Sequence, residues 1–370
     1  MEQSDYGQLW EIPPLNRSPW NSIWWYALFM LRDKHGRLGS RQIVLANTVL
    51  HGDGYTLDGG TLPQFDLPER FGDVWQSMGL TVSWYFDGQI IAFPPIEHRS
   101  SQLVGSNQIA MGSLSARILD REILRFETNA DCFNFALSGP HLHFNASAPL
   151  SDSRIATRLD GIPFDYNKLI CSARIRRFDF SGYLATNDLS EHVNGVGYFQ
   201  RVVFKAPLTS WYWIYVAFPD GSIAGISCLY FGLKLFRRRN VIWAPLLENA
   251  IVPLTSRGYF IKGDTGKMTR FNRARVWLER DRREPRLQAA KIWASNSAGD
   301  QMSFKIVCLD DWGLTFRKKI WKSPVASAFH YHVYVGRVRC LLLRIEGVDL
   351  LSGQSTEGFA NMEHTFGLLV

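Results

Sequence analysis

Apolar and polar residues alternate with a period of two along most of this chain, and this alternation constrains the fold more than any other feature. The alternating segments are rich in Val, Ile, Thr and aromatic residues and end at Gly, Asn, Asp or Pro, as is typical of antiparallel strands. The best helical window, residues 286–295, fits a strand equally well. The sequence therefore predicts an antiparallel all-β protein. The clearest segments are TVSWYFDGQIIAF, EILRFETNADCFNFALSG, ARIRRFDFSGYLA and HYHVYVGRVRCLLLRIEGV, with turn signals at Asp87-Gly88, Asp160-Gly161, Asp220-Gly221 and Gly353.

The length of 370 residues is comfortable for two domains. A polar, turn-rich stretch without a sustained period covers residues 149–167, and it predicts an N-terminal β domain over 1–155 and a C-terminal one over 156–370. Hydrophobic residues make up 46% and charged residues 20% of the chain, which excludes a disordered or fibrous protein. Aromatic residues reach 14%, so their rings either fill solid cores or line a large apolar cavity.

Charge and cysteine content exclude several classes of protein. A formal net charge of +7 permits contact with anionic partners without requiring it. Five cysteines, an odd number with no CxxC spacing, argue against a disulfide framework and a zinc knuckle and favour buried thiols in a reducing compartment. The acidic N-terminus does not resemble a signal peptide, and the longest apolar run, residues 23–31, is too short to span a membrane. We expect a cytoplasmic protein.

The two halves of the chain repeat one pattern. An aromatic cluster, an apolar strand, a turn containing an acidic residue and glycine, and a returning strand follow one another in each half. The first copy begins at Trp24-Trp25-Tyr26 and the second at Trp211-Tyr212-Trp213. This repetition favours a duplicated β-barrel module.

Four stretches in order along the chain resemble the lipocalin-like carotenoid hydratase and AttH-like family. They are WWYALFMLRDKHGR near the N-terminus, GVGYFQRVVFKAP (195–207), SWYWIYVAFPDGS (210–222) and GFANMEHTFG (358–367). The resemblance implies two lipocalin-like β-barrel domains packed together, with a pocket for a hydrophobic small molecule. Members of this family include hydratases that add water to an isolated alkene, and fungal cyclases of the Diels–Alder type, which act on polyenes, are more distant relatives.

The central strand, GVGYFQRVVF, offers the first candidate site residues. Alternation places Tyr198 and Gln200 on one face and Arg201 on the other. Tyr198 and Gln200 either present a hydroxyl and an amide to an apolar ligand or are ordinary core and surface residues. Arg201 either holds an acidic group of the substrate or pairs with Glu363 of the last strand, because a buried guanidinium needs a partner. Glycines 195 and 197 permit close approach of another backbone or of a ligand.

Aromatic residues of the two repeated hairpins are candidates for the wall of a pocket, because the π faces of such rings attract a cationic intermediate.

Hydratase-type members carry acidic and histidine residues directly after the Tyr of the central motif, where this chain has Phe199-Gln200-Arg201. Hydration would therefore need another acid, whereas cyclisation of a polyene needs only a shaped cavity and a donor to an activating carbonyl. The candidate wall residues are Trp25, Tyr26, Trp211 and Trp213, and the candidate acids and loop residues are Asp179, Glu191, His192 and Glu363.

Other chemistries find little support in the sequence. His141-Leu142-His143 and His330-Tyr331-His332 have a spacing that can bind metal, but no third ligand is near in sequence. Motifs of hydrolases, metalloproteases, dinucleotide-binding folds and P-loops are absent from the sequence. Basic runs at 174–177, 236–240 and 279–286 are consistent with single-stranded nucleic acid binding, but solvated barrel rims explain them better.

The sequence therefore predicts a cofactor-independent enzyme of the lyase or isomerase class in specialised metabolism of terpenoids or polyenes. Its reaction would be cyclisation, isomerisation or hydration of a hydrophobic small molecule in an aromatic pocket, without metal or nucleic acid. The predicted catalytic residues are Tyr198, Gln200, Arg201 and Glu363, and the predicted substrate-binding residues are Trp25, Tyr26, Trp211, Trp213 and His192. The alternative is a non-catalytic carrier of a lipid or isoprenoid.

Overall fold

The computed structural model consists of β-strands and their connections. Within the ranges it describes, no α-helix occurs, which confirms the predicted all-β class. No helix in these ranges has the length and hydropathy needed to cross a membrane. The described residues are 9–10, 22–49, 54–62, 64, 69–72, 74–105, 112–129, 131–150, 160–161, 170–204, 209–231, 252–280, 287–319, 326–350 and 357–369.

The first sheet is a closed barrel of antiparallel strands. Its strands follow the order β11-β10-β9-β8-β7-β6-β2-β1-β14-β13, and the pairing of β11 with β13 closes the ring, while β5 and β12 add short pairings to β6 and β13. The strands are β1 (Ser22–Arg32), β2 (Leu38–Val49), β5 (Glu69–Phe71), β6 (Val74–Phe86), β7 (Ile90–Gly105), β8 (Gly112–Ile118), β9 (Arg121–Thr128), β10 (Cys132–Ser138), β11 (Leu142–Pro149), β12 (Asp160–Gly161), β13 (Ile170–Thr186) and β14 (Ser190–Phe204).

The second sheet follows the order β18-β17-β16-β15-β24-β22-β21-β20-β19, again with antiparallel neighbours. Two pieces extend it, because β23 pairs with β22 and the β3–β4 hairpin pairs with β21. The strands are β3 (Tyr55–Leu57), β4 (Gly60–Thr61), β15 (Thr209–Ala217), β16 (Ile223–Phe231), β17 (Val252–Ile261), β18 (Met268–Phe271), β19 (Arg273–Arg280), β20 (Leu287–Ser295), β21 (Gln301–Lys319), β22 (Ala326–Ile345), β23 (Val348–Asp349) and β24 (Glu357–Leu369).

The chain passes from the first sheet to the second between Phe204 and Thr209, because β13 and β14 still pair within the first barrel. This change of sheet falls later than the predicted division at residues 155 and 156, which stays a prediction about folding units. Two local expectations differ from the structure. Asp160-Gly161 form the short strand β12 instead of a turn, and residues 190–195, which read as a loop, already belong to β14.

Aromatic residues fill the interior of the first barrel. Phe29 packs edge-on against Phe135, Phe144 and Phe180, with ring centroids 4.7–5.0 Å apart. Edge-to-face packing of this kind suits the quadrupoles of the rings and stabilises a dense core. Within this barrel, therefore, the rings form the core. The other buried rings of this cluster are Trp10, Trp25, Tyr85, Phe93, Phe126, Phe133, Phe178 and Phe199.

A separate apolar cluster lies between the two sheets, and each sheet contributes one face of its repeated hairpin to it. On β1, Trp24, Tyr26, Leu28 and Met30 face this cluster, whereas the intervening residues face the barrel interior. On β15 the same alternation turns residues 211, 213 and 215 toward the first barrel. The two repeated hairpins thus face each other, and the contact between them is lined with aromatic side chains.

Two glycines of β14 pack so closely against other parts of the protein that a side chain at either position would overlap them. A Cβ atom on Gly195 would lie 2.0 Å from the carbonyl oxygen of Met30, and one on Gly197 would lie 2.0 Å from the ring of Phe178. The close approach that the sequence indicated at these positions is therefore made by a neighbouring backbone and by a core ring.

We expect Gly195→Ala to reduce the free energy of unfolding by about 2–3 kcal/mol, because a new methyl group must displace the backbone of β1. Gly39→Ala is the matched control, since its Cβ would meet only Leu31 O, at an ordinary 3.7 Å. Urea denaturation of both variants tests this expectation, and equal stabilities of the two would contradict the close packing of β14 against β1.

Candidate functional site

The candidate site lies in the contact between the sheets, where two rows of side chains oppose each other. In the first barrel, Tyr26 of β1, Gln200 of β14 and Arg174 of β13 are directly paired across neighbouring strands. In the second sheet, Trp213 of β15 is paired with Glu363 of β24. Since side chains of directly paired residues project from the same face of a sheet, each row presents its groups together to the other.

Six of the predicted site residues meet in this contact. The ring of Trp213 lies between two tyrosines, with centroid distances of 5.3 Å to Tyr26 and 4.8 Å to Tyr198. Tyr198 Oη donates a hydrogen bond of 2.8 Å to Gln200 Oε1. The Gln200 amide therefore turns its donor nitrogen away from Tyr198. The six are Tyr26, Tyr198, Gln200, Trp211, Trp213 and Glu363, and all of them are buried.

Three of the predicted site residues lie elsewhere. Trp25 points into the first barrel, where its Nε1 donates a hydrogen bond of 2.8 Å to the carbonyl oxygen of Leu9. Arg201 is buried on the side of β14 that faces the barrel interior, opposite to Gln200. His192 is exposed, and it adjoins Tyr183 six residues along β14 from Tyr198, roughly 20 Å away.

Two residues that were not predicted as site residues, Trp24 and Arg174, lie on the site face. Trp24 is half-buried, and its ring lies tilted against that of Trp211 with the centroids 5.2 Å apart, so it takes the wall position predicted for Trp25. Arg174, paired with Gln200, supplies a guanidinium on the site face, whereas Arg201 lies on the opposite face, as alternation predicted. Alternation could have indicated this position, because Arg174 lies next to Gln200 in the adjacent strand.

The basic run at 174–177 is not a solvated rim, contrary to the sequence interpretation. A bulge between Ile175 and Phe178 keeps both of these side chains in the barrel core and turns Arg176 and Arg177 outward into the contact between the sheets. The two arginines are 5% and 6% exposed, respectively. The Arg176 guanidinium lies 5.2 Å from the ring centroid of Tyr259, which gives it a cation–π contact across the sheets.

The other two candidate carboxylates, Glu191 and Asp179, are more exposed than Glu363 and form ion pairs. Glu191 pairs with Arg41, and Asp179 pairs with Arg32 at 3.3 Å and with Arg177 at 3.5 Å. Exposed or half-exposed carboxylates of this kind are ordinary surface groups. In the part of the chain that the structure describes, no three or more His, Cys, Asp or Glu side chains come together in a way that could hold a metal ion.

Glu363 is the distinctive group of the site. It is 3% exposed, and Tyr331 Oη donates a hydrogen bond of 2.6 Å to its Oε1. Burial raises the pKa of Glu363 to about 7, although hydrogen bonding with Tyr331, Tyr26 and Trp211 favours the charged form. Near neutral pH this carboxyl therefore exchanges a proton readily, as a general acid or base requires.

The phenols beside Glu363 remain protonated at all physiological pH values. Burial is the main cause that raises the pKa of Tyr26 and of Tyr331 well above 10, and the negative charge of Glu363 adds to it. Burial also raises the pKa of Tyr198, against the opposing charges of Arg174 and Arg176. Tyr331 was not predicted from the sequence, because only the imidazoles of His330-Tyr331-His332 were considered, as possible metal ligands.

The raised pKa of Glu363 makes the stability of the protein depend on pH. In the unfolded chain this group titrates near 4.5, so at intermediate pH the folded protein holds a proton that the unfolded chain has released. The stabilisation is present below pH 4.5 and is lost as the pH rises through 7.

The quantity to follow is the difference in free energy of unfolding between the wild type and Glu363→Gln. We expect this difference to fall by about 3 kcal/mol between pH 4 and pH 8. Denaturant unfolding of both proteins over this range measures the difference, in which contributions from other groups cancel. A difference that does not change with pH would show that Glu363 titrates normally.

Comparison with known proteins confirms the fold. No protein-family model matches the sequence, and no curated protein matches it. Among solved structures, a protein of Nitrosomonas europaea with a provisional AttH assignment is 11% identical, with a TM-score of 0.52 over 93% of this chain and 92% of that one. CghA, solved with Sch210972, is 11% identical, with a TM-score of 0.56 over 95% of this chain and 89% of that one. The chain thus has the two-unit, lipocalin-like β architecture that the sequence predicted.

Proposed function

We propose that the contact between the two sheets is the active site of a cofactor-independent enzyme that cyclises, isomerises or hydrates a hydrophobic small molecule. The observation that carries this proposal is the Glu363 carboxyl, which is buried in the contact and accepts a hydrogen bond of 2.6 Å from Tyr331 Oη. Burial raises its pKa to about 7. A polyene or terpenoid of specialised metabolism is the substrate class that suits such surroundings, and the cytoplasm is the proposed location.

Glu363 would act by giving its proton to the substrate. Its O–H bond breaks as a C–H bond forms on an alkene, and the positive charge passes to the neighbouring carbon. Hydration ends when water attacks that carbon and returns a proton to the carboxylate. Cyclisation or isomerisation ends when the cation is quenched within the substrate and a C–H proton returns to the carboxylate.

The aromatic side chains of the contact are suited to such a cation. The faces of Trp24, Trp211 and Trp213 lie on the two walls within one cluster, and each ring face can attract a cation by about 0.5–2 kcal/mol. For a polyene that carries a carbonyl, the Gln200 amide and the Arg174 guanidinium on the first wall are donors that could hold its oxygen. The same donors would also assist a pericyclic cyclisation that requires no proton transfer.

The comparisons support the proposal through the fold. CghA shares this architecture and has been solved with Sch210972, and the sequence resembles hydratases of the carotenoid type and, more distantly, cyclases of the Diels–Alder type. A carrier of a hydrophobic ligand would use the same walls without chemistry. The role of Glu363 separates the two functions, because only an enzyme requires its proton.

Binding of a polyene probe tests the location of the site. We expect the fluorescent tetraene cis-parinaric acid to bind the wild type, and Trp24→Ala to weaken that binding about tenfold or more, because the half-buried indole supplies apolar contact area. Trp277→Ala is the matched control, since Trp277 is 41% exposed on β19, outside this cluster. Equal losses in the two variants would place the probe elsewhere.

Turnover tests the chemistry. The enzyme is incubated in D2O with a panel of linear isoprenoid and conjugated polyenes, and the mass of each product is measured. We expect hydration to add one D2O and proton-initiated cyclisation or isomerisation to replace one hydrogen by deuterium. Pericyclic cyclisation should leave the mass unchanged. Glu363→Gln should reduce the first two about 100-fold or more without loss of cis-parinaric acid binding. The wild-type rate should decline as the pH rises above 7. Full activity in Glu363→Gln would remove this residue from the mechanism.

A further inference from the structure

Two consecutive arginines of β13 lie opposite a single residue of β14 in the wall of the contact. The residues before and after them pair with positions 199 and 197 of β14. Arg176 and Arg177 therefore share Tyr198 as their partner, which is the two-against-one pairing of a β-bulge. In a regular strand, successive side chains point to opposite faces. The bulge is thus what brings both arginines to the face that the contact covers.

Both guanidiniums are held in place by contacts with the second sheet. The Arg176 guanidinium lies 5.2 Å from the ring centroid of Tyr259. Arg177 Nη1 donates a hydrogen bond of 3.4 Å to the carbonyl oxygen of Gly263, and its Nη2 lies 3.5 Å from Oδ2 of Asp179, whose side chain is half-exposed. Arg177 Nε is buried and donates no hydrogen bond to any described residue. Because a guanidinium has five donors in a fixed fork, each arginine can bind an anion in addition to the partners that it already holds.

Two adjacent guanidiniums are unfavourable in a buried contact. Removing a charge from water costs free energy unless opposite charge or hydrogen-bonding groups replace the water. The two positive charges also repel each other, and the repulsion grows as water is excluded. Apolar side chains of similar length would fill this space without either cost, so packing alone does not explain the pair. Recognition of an anion does explain it, because the guanidinium fork matches the two oxygens of a carboxylate.

The arginines lie at one end of an aromatic row that leads to Glu363. Tyr198, which is opposite both arginines, packs against Trp213 with ring centroids 4.8 Å apart. Trp213 is in turn directly paired with Glu363. One indole therefore lies between the place of the arginines and the carboxyl. A linear molecule that lies along this row has one end at the arginines and its chain against Trp213, beside the proposed acid.

We propose that Arg176 and Arg177 form an anion-binding subsite, which takes the carboxylate head group of a linear polyene substrate.

This inference rests on the proposed function and deepens it, because it narrows the substrate from hydrophobic molecules in general to acidic ones. It also gives the substrate a direction in the site. With the head group fixed at the arginines, the distance from there to Glu363 determines which double bond of the chain receives the proton.

The test compares cis-parinaric acid with its methyl ester, which carries the same tetraene without the charge. Fluorescence titrations use the full-length protein at a pH at which the acid is ionised and at probe concentrations below micelle formation. We expect the wild type to bind the acid about tenfold more tightly than the ester, or better. Arg176→Met and Arg177→Met should each weaken binding of the acid about tenfold, because they remove a charged donor. Binding of the ester should stay within about twofold, because methionine keeps the apolar part of the side chain.

Arg275→Met is the matched control. Arg275 is exposed on β19, and no described residue of that strand belongs to the apolar cluster between the sheets. This variant loses one positive charge of the protein, as the other two do, but it should change the affinity for neither probe. A general attraction of the basic protein for anions would instead weaken binding of the acid equally in all three variants.

Equal affinities of the wild type for the acid and the ester would overturn the proposal, and so would a full preference for the acid in both methionine variants. Should a methionine variant fail to fold, the lysine variant at the same position decides. Lysine keeps the charge without the fork, so the preference for the acid should fall about threefold, and an unchanged preference would contradict the subsite.

These outcomes are distinct from failure of the proposed function. If the acid were preferred through both arginines while Glu363→Gln kept full turnover, the subsite would stand and the role of Glu363 as the acid would not. If the wild type did not distinguish the two probes while Trp24→Ala weakened binding of both, the location of the site would stand and the subsite would not.

Discussion

The aromatic contact between the two sheets is the interaction on which the rest of the site depends. It removes water from both walls, and the Glu363 carboxyl is buried within it. Burial makes the charged form of that carboxyl unfavourable and moves its titration toward neutral pH. The phenols and amides around it matter because hydrogen bonds are stronger in such surroundings, where each donor and acceptor needs a partner.

Each sheet contributes polar groups that the other lacks, together with rings from both. The second sheet brings the acid, Tyr331 and two indoles, whereas the first barrel brings Trp24, tyrosines, an amide and guanidiniums through β1, β13 and β14. The chemistry therefore belongs to neither unit alone. A change in the angle between the sheets would separate the acid from the groups that orient it, so the proposed activity is coupled to the docking of the two units.

Much of the fold and part of the site could be predicted from the sequence, because period-two alternation is a direct consequence of strand geometry. The face of Tyr198 and Gln200 was predictable in this way, and so was the position of Glu363 as the acid of the last strand. The choice between Trp24 and Trp25 was not, because β1 is buried on both faces and reads as a continuous apolar run. His192 was misleading, since a short polar stretch before glycines reads as a loop although it belongs to β14.

The β3–β4 hairpin links the two units, because it lies among the strands of the first barrel in sequence but pairs with the second sheet. It is contributed by the segment between two strands of the first barrel, yet Leu57 and Tyr55 pair with Phe316 and Lys318 of β21, and Asp58 Oδ1 accepts a hydrogen bond of 2.7 Å from the Thr315 backbone nitrogen. The part of β21 that extends beyond β20 is thus paired with residues about 260 positions earlier in the chain. Such pairing requires closure of a very long loop, so the hairpin can join the second sheet only after β21 has been synthesised, and contacts of such large sequence separation form slowly.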